Sequence, residues 1–366
     1  MKNGTRFAAL GGVVVAGALA LSACGSDSNG TATTSGAPAA PGTANANCVK
    51  ATVNAAGSTA QANAMTEWTK DYQAGCAGAQ VNYNANGSGA GVTSFSTGQV
   101  AFAGSDSALS PLTKPAADKR CTGGEAIDLP MVVGPIALVY NLPGVSTLNL
   151  SPTTIAGIFS GKIVKWNDAA IAKDNTGVTL PSTAISTLHR SDASGTTDNF
   201  TKFLTATAPA GWTFKGGKVW TAPGGQGLKG STGISATLKT TPGAIGYVEM
   251  SYATNGNLQT AKVNNVALST DSAGITVASA KVAGTGSDLA LKIDYTTKAA
   301  GAYPIVLVTY EITCTKGLPA GDASFVKSFL TYTSSTAGQS VLAKLGYAPL
   351  PASVLTQVQT AVAALS

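Results

Sequence analysis

Leu129-Pro130-Met131-Val132-Val133-Gly134-Pro135-Ile136-Ala137-Leu138-Val139-Tyr140 is the stretch on which the fold turns. It sits inside residues 127–141 and is almost continuously apolar. A half-wet strand alternates; this one does not, so it predicts a strand buried on both faces, as in a sheet covered by helices. A second strongly apolar strand is expected over residues 303–313. Around these two, shorter apolar runs predict strands at 50–54, 81–83, 101–104, 185–190 and 244–249. Helical spacing predicts helices at 60–72, 91–97, 153–160, 168–173, 197–204, 234–238, 322–345 and 351–365. Met65, Trp68 and Tyr72 fall on one face of the first helix. Residues 255–300 have too little periodicity to assign. Strands alternating with helices predict the α/β class, with helices over mixed sheets.

The start of the chain reads as an address. Lys2 and Arg6 precede an apolar, small-residue stretch ending in Leu21-Ser22-Ala23-Cys24. That is the layout of a secretory signal over residues 1–23, too short and too rich in Gly and Ala for a membrane span. The Leu-Ser-Ala-Cys ending resembles a bacterial lipobox, which makes Cys24 the acylated new N-terminus. Residues 24–48 follow as a tether. Positions 25–47 hold one charge, Asp27, and no aromatic residue. Such a segment cannot bury enough apolar surface to order itself, and it spans about 25 Å root-mean-square. The expected location is therefore the outer face of the cell membrane, held by lipid.

About 318 residues follow Cys48, which suits two cores better than one. Hydrophobic residues make up 44% and charged ones 11%, the balance of a folded, weakly charged protein. The formal charge of +6 falls to +4 without Lys2 and Arg6. No basic run or basic–aromatic stripe accompanies it, so nucleic acid is not expected as a partner. With Cys24 acylated, Cys48, Cys76, Cys121 and Cys314 remain. Four cysteines in an exported chain predict two disulfides among three possible pairings. Cys48–Cys76 and Cys121–Cys314 are preferred. The first joins the start of a strand to the end of the helix running back along it; the second joins residues flanking the two long strands. Zinc is a poor reading: no Cys-x-x-Cys occurs and His189 is the only histidine.

Three runs share one chemistry: Gly57-Ser58-Thr59, Gly87-Ser88-Gly89 and Ser194-Gly195-Thr196. Each sets glycine and small hydroxyls before a predicted helix, where backbone N–H groups and hydroxyls can cradle an anion. Arg190 lies four residues before Ser194, and Asp106 follows the second run. Each has an ordinary alternative. Ser, Thr and Gly cap many helices; Asp106 in Gly-Ser-Asp-Ser suits a turn; Arg190 beside Asp192 suits a surface ion pair. His189, Trp166, Trp212 and Trp220 suit structural packing. Gly225-Gln-Gly227-Leu-Lys-Gly230 fits a dinucleotide fingerprint, with Glu249 near the expected distance, but Pro223 breaks its lead-in and no early βαβ unit frames it.

In their order and spacing, six segments resemble the substrate-binding lipoproteins of phosphate-specific ABC transporters over roughly residues 50–360. They are Ala56-Gly57-Ser58-Thr59, Asn86-Gly87-Ser88-Gly89-Ala90-Gly91, Ala103-Gly104-Ser105-Asp106-Ser107-Ala108-Leu109-Ser110, Gly161-Lys162-Ile163-Val164-Lys165-Trp166-Asn167-Asp168, His189-Arg190-Ser191-Asp192-Ala193-Ser194-Gly195-Thr196-Thr197, and Pro242-Gly243-Ala244-Ile245-Gly246-Tyr247-Val248-Glu249. The resemblance implies a type II periplasmic-binding-protein fold. Lobe 1 is expected at 49–135 plus 303–366 and lobe 2 at 136–302, joined by two crossover hinge strands near residues 134–140 and 303–308. It implies a phosphate site in the cleft made of Ser58, Thr59, the Ala60 N–H, Ser88, Asp106, Arg190, Ser194, Gly195 and Thr196, with Asp192 orienting Arg190. It also implies a monomer with no cofactor, whose partners are inorganic phosphate and the membrane permease subunits. Position 60, aromatic in some relatives, is Ala here, and the loop 224–230 departs from the pattern.

The chemistry selects for phosphate. Its dianion carries a proton that a carboxylate at 106 can accept, whereas sulfate offers only lone pairs and like charge. A buried acceptor left without its donor costs at least ~1–3 kcal/mol. The competing readings are a binding protein of the same fold for sulfate, molybdate or phosphonate, and a secreted phosphatase or serine hydrolase. The hydrolase lacks a Gly-x-Ser-x-Gly elbow, and the phosphatase lacks a metal-ligand cluster.

Overall fold

The computed structural model describes residues 47–366. The expected signal, the acylated Cys24 and the tether up to residue 46 lie outside the described residues. From the first strand the chain runs β1 (Thr52–Gly57), α1 (Ala62–Gly75), β2 (Gln80–Asn84), α2 (Ser88–Ser96), β3 (Phe102–Ser105), α3 (Lys114–Arg120) and β4 (Ala126–Asn141). Next come β5 (Asn149–Leu150), α4 (Pro152–Phe159), α5 (Ala169–Asp174), β6 (Ser186–Arg190), α6 (Gly195–Thr207), β7 (Gln226–Leu228) and α7 (Gly230–Thr240). Then follow β8 (Ala244–Glu249), α8 (Met250–Gly256), β9 (Gln259–Thr260), β10 (Lys262–Val263), α9 (Thr270–Ala278), β11 (Lys281–Val282) and β12 (Leu291–Lys292). The chain closes with β13 (Val306–Cys314), α10 (Ala320–Thr333), α11 (Thr336–Leu345) and α12 (Ala352–Ala363).

Nine strands form one mixed sheet in the order β2-β1-β3-β13-β4-β8-β6-β7, with β9 also paired to β4. The 16-residue β4 organises it. Its first part, Ala126 to Pro135, runs antiparallel to β13. Its second part, Ile136 to Asn141, runs antiparallel to β8. The change of partner falls between Pro135 and Ile136, where the Ile136 N–H donates to Ile305 O at 2.8 Å. Prolines are normally excluded from a central strand because they cannot donate to the ladder. Here Pro130 lies at the β4–β13 register shift and Pro135 at the change of partner, the two places where the ladder is already interrupted.

β4 is buried on both faces along nearly its whole length. In its second part, Ile136, Leu138 and Tyr140 enter a core with Phe159, Phe200, Phe203 and Trp166. Ala137 and Val139 point the other way, into a smaller core with Leu188, Ile234 and Val248. The first part belongs to a separate core with Trp68, Tyr72, Phe95, Phe102, Phe325 and Phe329. The Tyr72 and Phe329 rings meet edge-on at 5.3 Å, and Phe159 and Phe200 at 4.9 Å. Two bodies therefore share one strand, and the architecture is the two-lobe α/β fold.

Several elements differ from the sequence reading. The first strand begins at Thr52, so Cys48 precedes it. The expected helix over 322–345 is two helices, α10 and α11, broken at Ser334-Ser335, where the Ser335 hydroxyl accepts from the Gly338 N–H. The unassigned region 255–300 holds β9 to β12 and α9. Ala273 and Val277 of α9, with Leu289 beyond it, pack into the first core. α3 was not expected because Lys-Pro-Ala-Ala-Asp-Lys-Arg buries only Ala117 and has no apolar stripe.

Cys48 is bonded to Cys76 and Cys121 to Cys314, with Cα separations of 5.4 and 5.3 Å. The second bridge spans 193 residues against 28 for the first. Closing a longer loop removes more unfolded-chain entropy. Replacing Cys121 and Cys314 together by Ala is expected to cost about 2–5 kcal/mol, and more than the same change at Cys48 and Cys76. Unfolding free energies from denaturant curves, with the slope fitted for each variant, check this; a smaller loss for the long bridge contradicts it.

Candidate functional site

The three glycine–hydroxyl runs converge. Ser58 and Thr59 follow β1 and lead into α1, Ser88 opens α2, and Ser194 is the N-cap of α6, where its hydroxyl accepts from the Thr197 N–H at 3.2 Å. Ser58, Thr59, Ser88, Ser194 and Thr196 are all buried. The helix starts bring partial positive charge and N–H groups to one place. The close approach depends on small residues. Gly87 has φ 106° and a side chain there would strike the Asp192 carboxylate. A Cβ on Gly195 would lie 2.6 Å from the Asp106 Cβ and 2.8 Å from Ser88 Oγ.

Asp106, just past β3, is the centre of the cluster and is 2% exposed. Its Oδ1 accepts from the Ser58 hydroxyl and from the Thr309 hydroxyl, the latter at 2.9 Å. Its Oδ2 accepts from Ser88 at 3.2 Å and Thr196 at 3.4 Å. The donors come from both sides of the partner change in β4. Burial pushes the Asp106 carboxyl up; the hydroxyls of Ser58 and Thr309, the Arg190 charge and Ser88 pull it back. Asn199, on α6, donates to the Asp106 carbonyl at 2.6 Å and to the Gly195 carbonyl at 2.8 Å. It fastens the end of β3 to the start of α6.

Arg190 ends β6 and is also 2% exposed. Its guanidinium donates through Nε to Asp192 Oδ1 at 2.7 Å and through Nη2 to Oδ2. The Gly230 N–H adds a bond to Asp192 Oδ1 at 3.0 Å. Burial opposes charge on Asp192, but Arg190 and this N–H hold it below the ordinary carboxylate range. Burial also pushes the Tyr247 phenol up to about 12, so it stays protonated. The Tyr247 hydroxyl accepts from the Arg190 N–H at 3.2 Å.

Other expected residues take further positions. Thr59 Oγ1 lies 3.0 Å from Ser231 Oγ, and the Tyr252 hydroxyl donates to the Thr59 carbonyl at 2.8 Å. The Ala60 N–H turns to Ser58 Oγ at 3.0 Å, and the Ser194 N–H to the Lys218 carbonyl at 2.8 Å. His189 stacks on Trp220 with ring centroids 5.0 Å apart, and Trp166 donates to the Gly243 carbonyl at 3.0 Å. No cluster of three metal-ligating side chains occurs among the described residues.

Sequence reasoning missed Thr309, Asn199, Ser231 and Tyr252. One signal was available: Gly230-Ser231-Thr232 opens α7 as a fourth glycine–hydroxyl run. The other three carry no local mark.

Residues 32–336 match the family described as a PBP superfamily domain. The chain is 45% identical to phosphate-binding protein PstS 3 of Mycobacterium tuberculosis (strain ATCC 25618 / H37Rv), covering 99% of each chain. It is 32% identical to phosphate-binding protein PstS of Xylella fastidiosa, covering 81% of this chain and 80% of the relative. Among solved structures, a high-affinity periplasmic phosphate-binding protein (PfluDING) bound with phosphate shares the fold. Its TM-score is 0.68 at 22% identity, over 85% of this chain and 93% of the other. A phosphate-binding protein from Stenotrophomonas maltophilia gives 0.67 at 22%, with the same coverage.

Asn199→Ala leaves two buried carbonyls without this donor. The expected loss of stability is about 1–3 kcal/mol, read from the denaturant midpoint. A change below 0.5 kcal/mol, roughly the level of a neutral surface substitution, contradicts the fastening role.

Proposed function

We propose that this chain, which belongs to the PBP superfamily and within it to the PstS phosphate-binding proteins, captures inorganic phosphate outside the cell and delivers it to an ABC-type importer. The observation that carries the reading is Asp106: a buried carboxylate ringed by hydroxyls from both sides of the partner change in β4, with Arg190 nearby. Ser58, Ser88 and Thr196 would turn their hydroxyls from Asp106 to the anion's oxygens, the Ala60 N–H would turn from Ser58 to the anion, and Thr59, Ser194 and Gly195 would complete the donor set. Arg190 would supply a planar charged fork, oriented by Asp192. Asp106 would accept the proton that phosphate keeps as a dianion, so each group satisfies the other. Sulfate has no such proton, and a site built on a ligand hydrogen rejects an analogue lacking it by roughly 10⁴ or more.

Capture proceeds by hinge closure. The proposed lobes are 49–135 plus 303–366 and 136–302, with segment 270–293 of the latter laid against lobe 1. The crossings are β4 and the strand entering β13. The lipid on Cys24 and the tether keep the protein at the outer membrane surface, within reach of the permease subunits. The relatives are named as binding proteins, and the chain is read as a non-catalytic receptor.

Calorimetry with phosphate and sulfate tests this. The wild-type protein is expected to prefer phosphate by roughly 10⁴ or more, and Asp106→Asn to narrow that preference below about 10², because an amide can donate to sulfate. Equal discrimination in the variant removes Asp106 from the role, and a sulfate, molybdate or phosphonate preference in wild type overturns the phosphate assignment. Arg190→Ala is expected to weaken phosphate binding about 30-fold or more while the chain stays folded. Turnover of a chromogenic phosphate ester, lost in Ser194→Ala, would end the receptor reading.

A further inference from the structure

Glu311 lies in the middle of β13, fully buried, and neither carboxyl oxygen has a hydrogen-bond partner. It is two residues from Thr309, so both side chains project from the same face of the strand, and Thr309 donates to Asp106. Its register partners are Gly104 on β3 and Leu129 on β4, which bring no charge. Polar groups set against it are Gln61, just before α1, and Asp106, past β3. Tyr83 on β2 also feels its charge. Gln61 donates to the Tyr83 hydroxyl at 3.0 Å, and Tyr83 donates to the Ser58 carbonyl at 2.8 Å. Ser58 in turn donates to Asp106. The Gln61 Oε1 is itself without a donor. Glu249, across β4 on β8, turns instead to Ser251. Among the described residues no ion pair includes Glu311.

A buried carboxylate with no cation, and with the one nearby amide, Gln61, donating to Tyr83 instead, is costly, whereas the neutral acid can donate one O–H. We propose that Glu311 is a positioning residue of the anion site that must hold a proton for the site to take phosphate. Its ionisation would set a second negative charge behind Asp106 and drive the anion out. This rests on the phosphate reading of the site. Burial first, then the Asp106 charge, raise the Glu311 carboxyl, while Gln61 lowers it, and it stands at about 8. That value is above the ordinary one, so the folded protein holds the proton below pH 8 and loses it above. A bound dianion raises the carboxyl further. Binding above pH 8 must then draw a proton from solvent.

The test compares wild type with Glu311→Gln, an uncharged side chain of the same shape. Phosphate affinity is measured by calorimetry from pH 7 to pH 9 in buffers of different ionisation enthalpy. Expressed per phosphate dianion, wild type is expected to lose about tenfold in affinity over that interval and to take up most of one proton per phosphate at pH 9. Glu311→Gln is expected to lose less than about twofold and take up little. Equal losses and equal uptake in the two proteins overturn the proposal while leaving the phosphate reading intact. Failure of wild type to bind phosphate at pH 7 defeats that reading instead. The phosphate-free protein gives an independent check. The side-chain carboxyl ¹³C resonance that disappears in Glu311→Gln should titrate with a midpoint near 8, and a midpoint in the ordinary glutamate range overturns the proposal whatever binds.

Discussion

A carboxylate deep in a protein must be given donors, and Asp106 takes them from four segments distant in sequence. Ser58, Ser88, Thr196 and Thr309 reach it from the turn after β1, from α2, from α6 and from β13. Once that group is placed, much else is constrained. Helix starts have to point inward, glycine has to occupy positions 87 and 195, and Asn199 has to bind the carbonyl behind the acid. A neutral core of the same shape could be packed with fewer conditions. The polar cluster is thus better understood as a site than as a source of stability.

β4 makes that convergence possible. One continuous strand serves two bodies, pairing with β13 and then with β8. Its two prolines sit where backbone donors are not required. The strand changes partner between Pro135 and Ile136, where the two bodies meet. The disulfide from Cys121 to Cys314 ties the outer ends of β4 and β13.

Much of this was legible in the sequence. The unbroken apolar run from Leu129 to Tyr140 marked the shared strand, and the repeated pairing of glycine with hydroxyls marked the helix starts. The missing parts were hidden for physical reasons. Thr309 stands 203 positions from Asp106 and reads as an ordinary β-branched strand residue. Asn199 lies in the first turns of a helix like many others. Ser334 and Ser335 end one helix and start the next without disturbing the apolar spacing, so the two were read as one. The region 255–300 is made of two-residue strands and one short helix, too brief to establish a period.

That same region has a mechanical side. Ala273, Val277 and Leu289 are anchored in the core built on β1, β3 and α10. Six residues beyond Leu289, the Tyr295 hydroxyl donates to Asn199 of α6 at 2.5 Å. The segment from α9 to Tyr295 is therefore stitched at one end into the first core and at the other to α6, a buckle between the two bodies in addition to the strands β4 and β13.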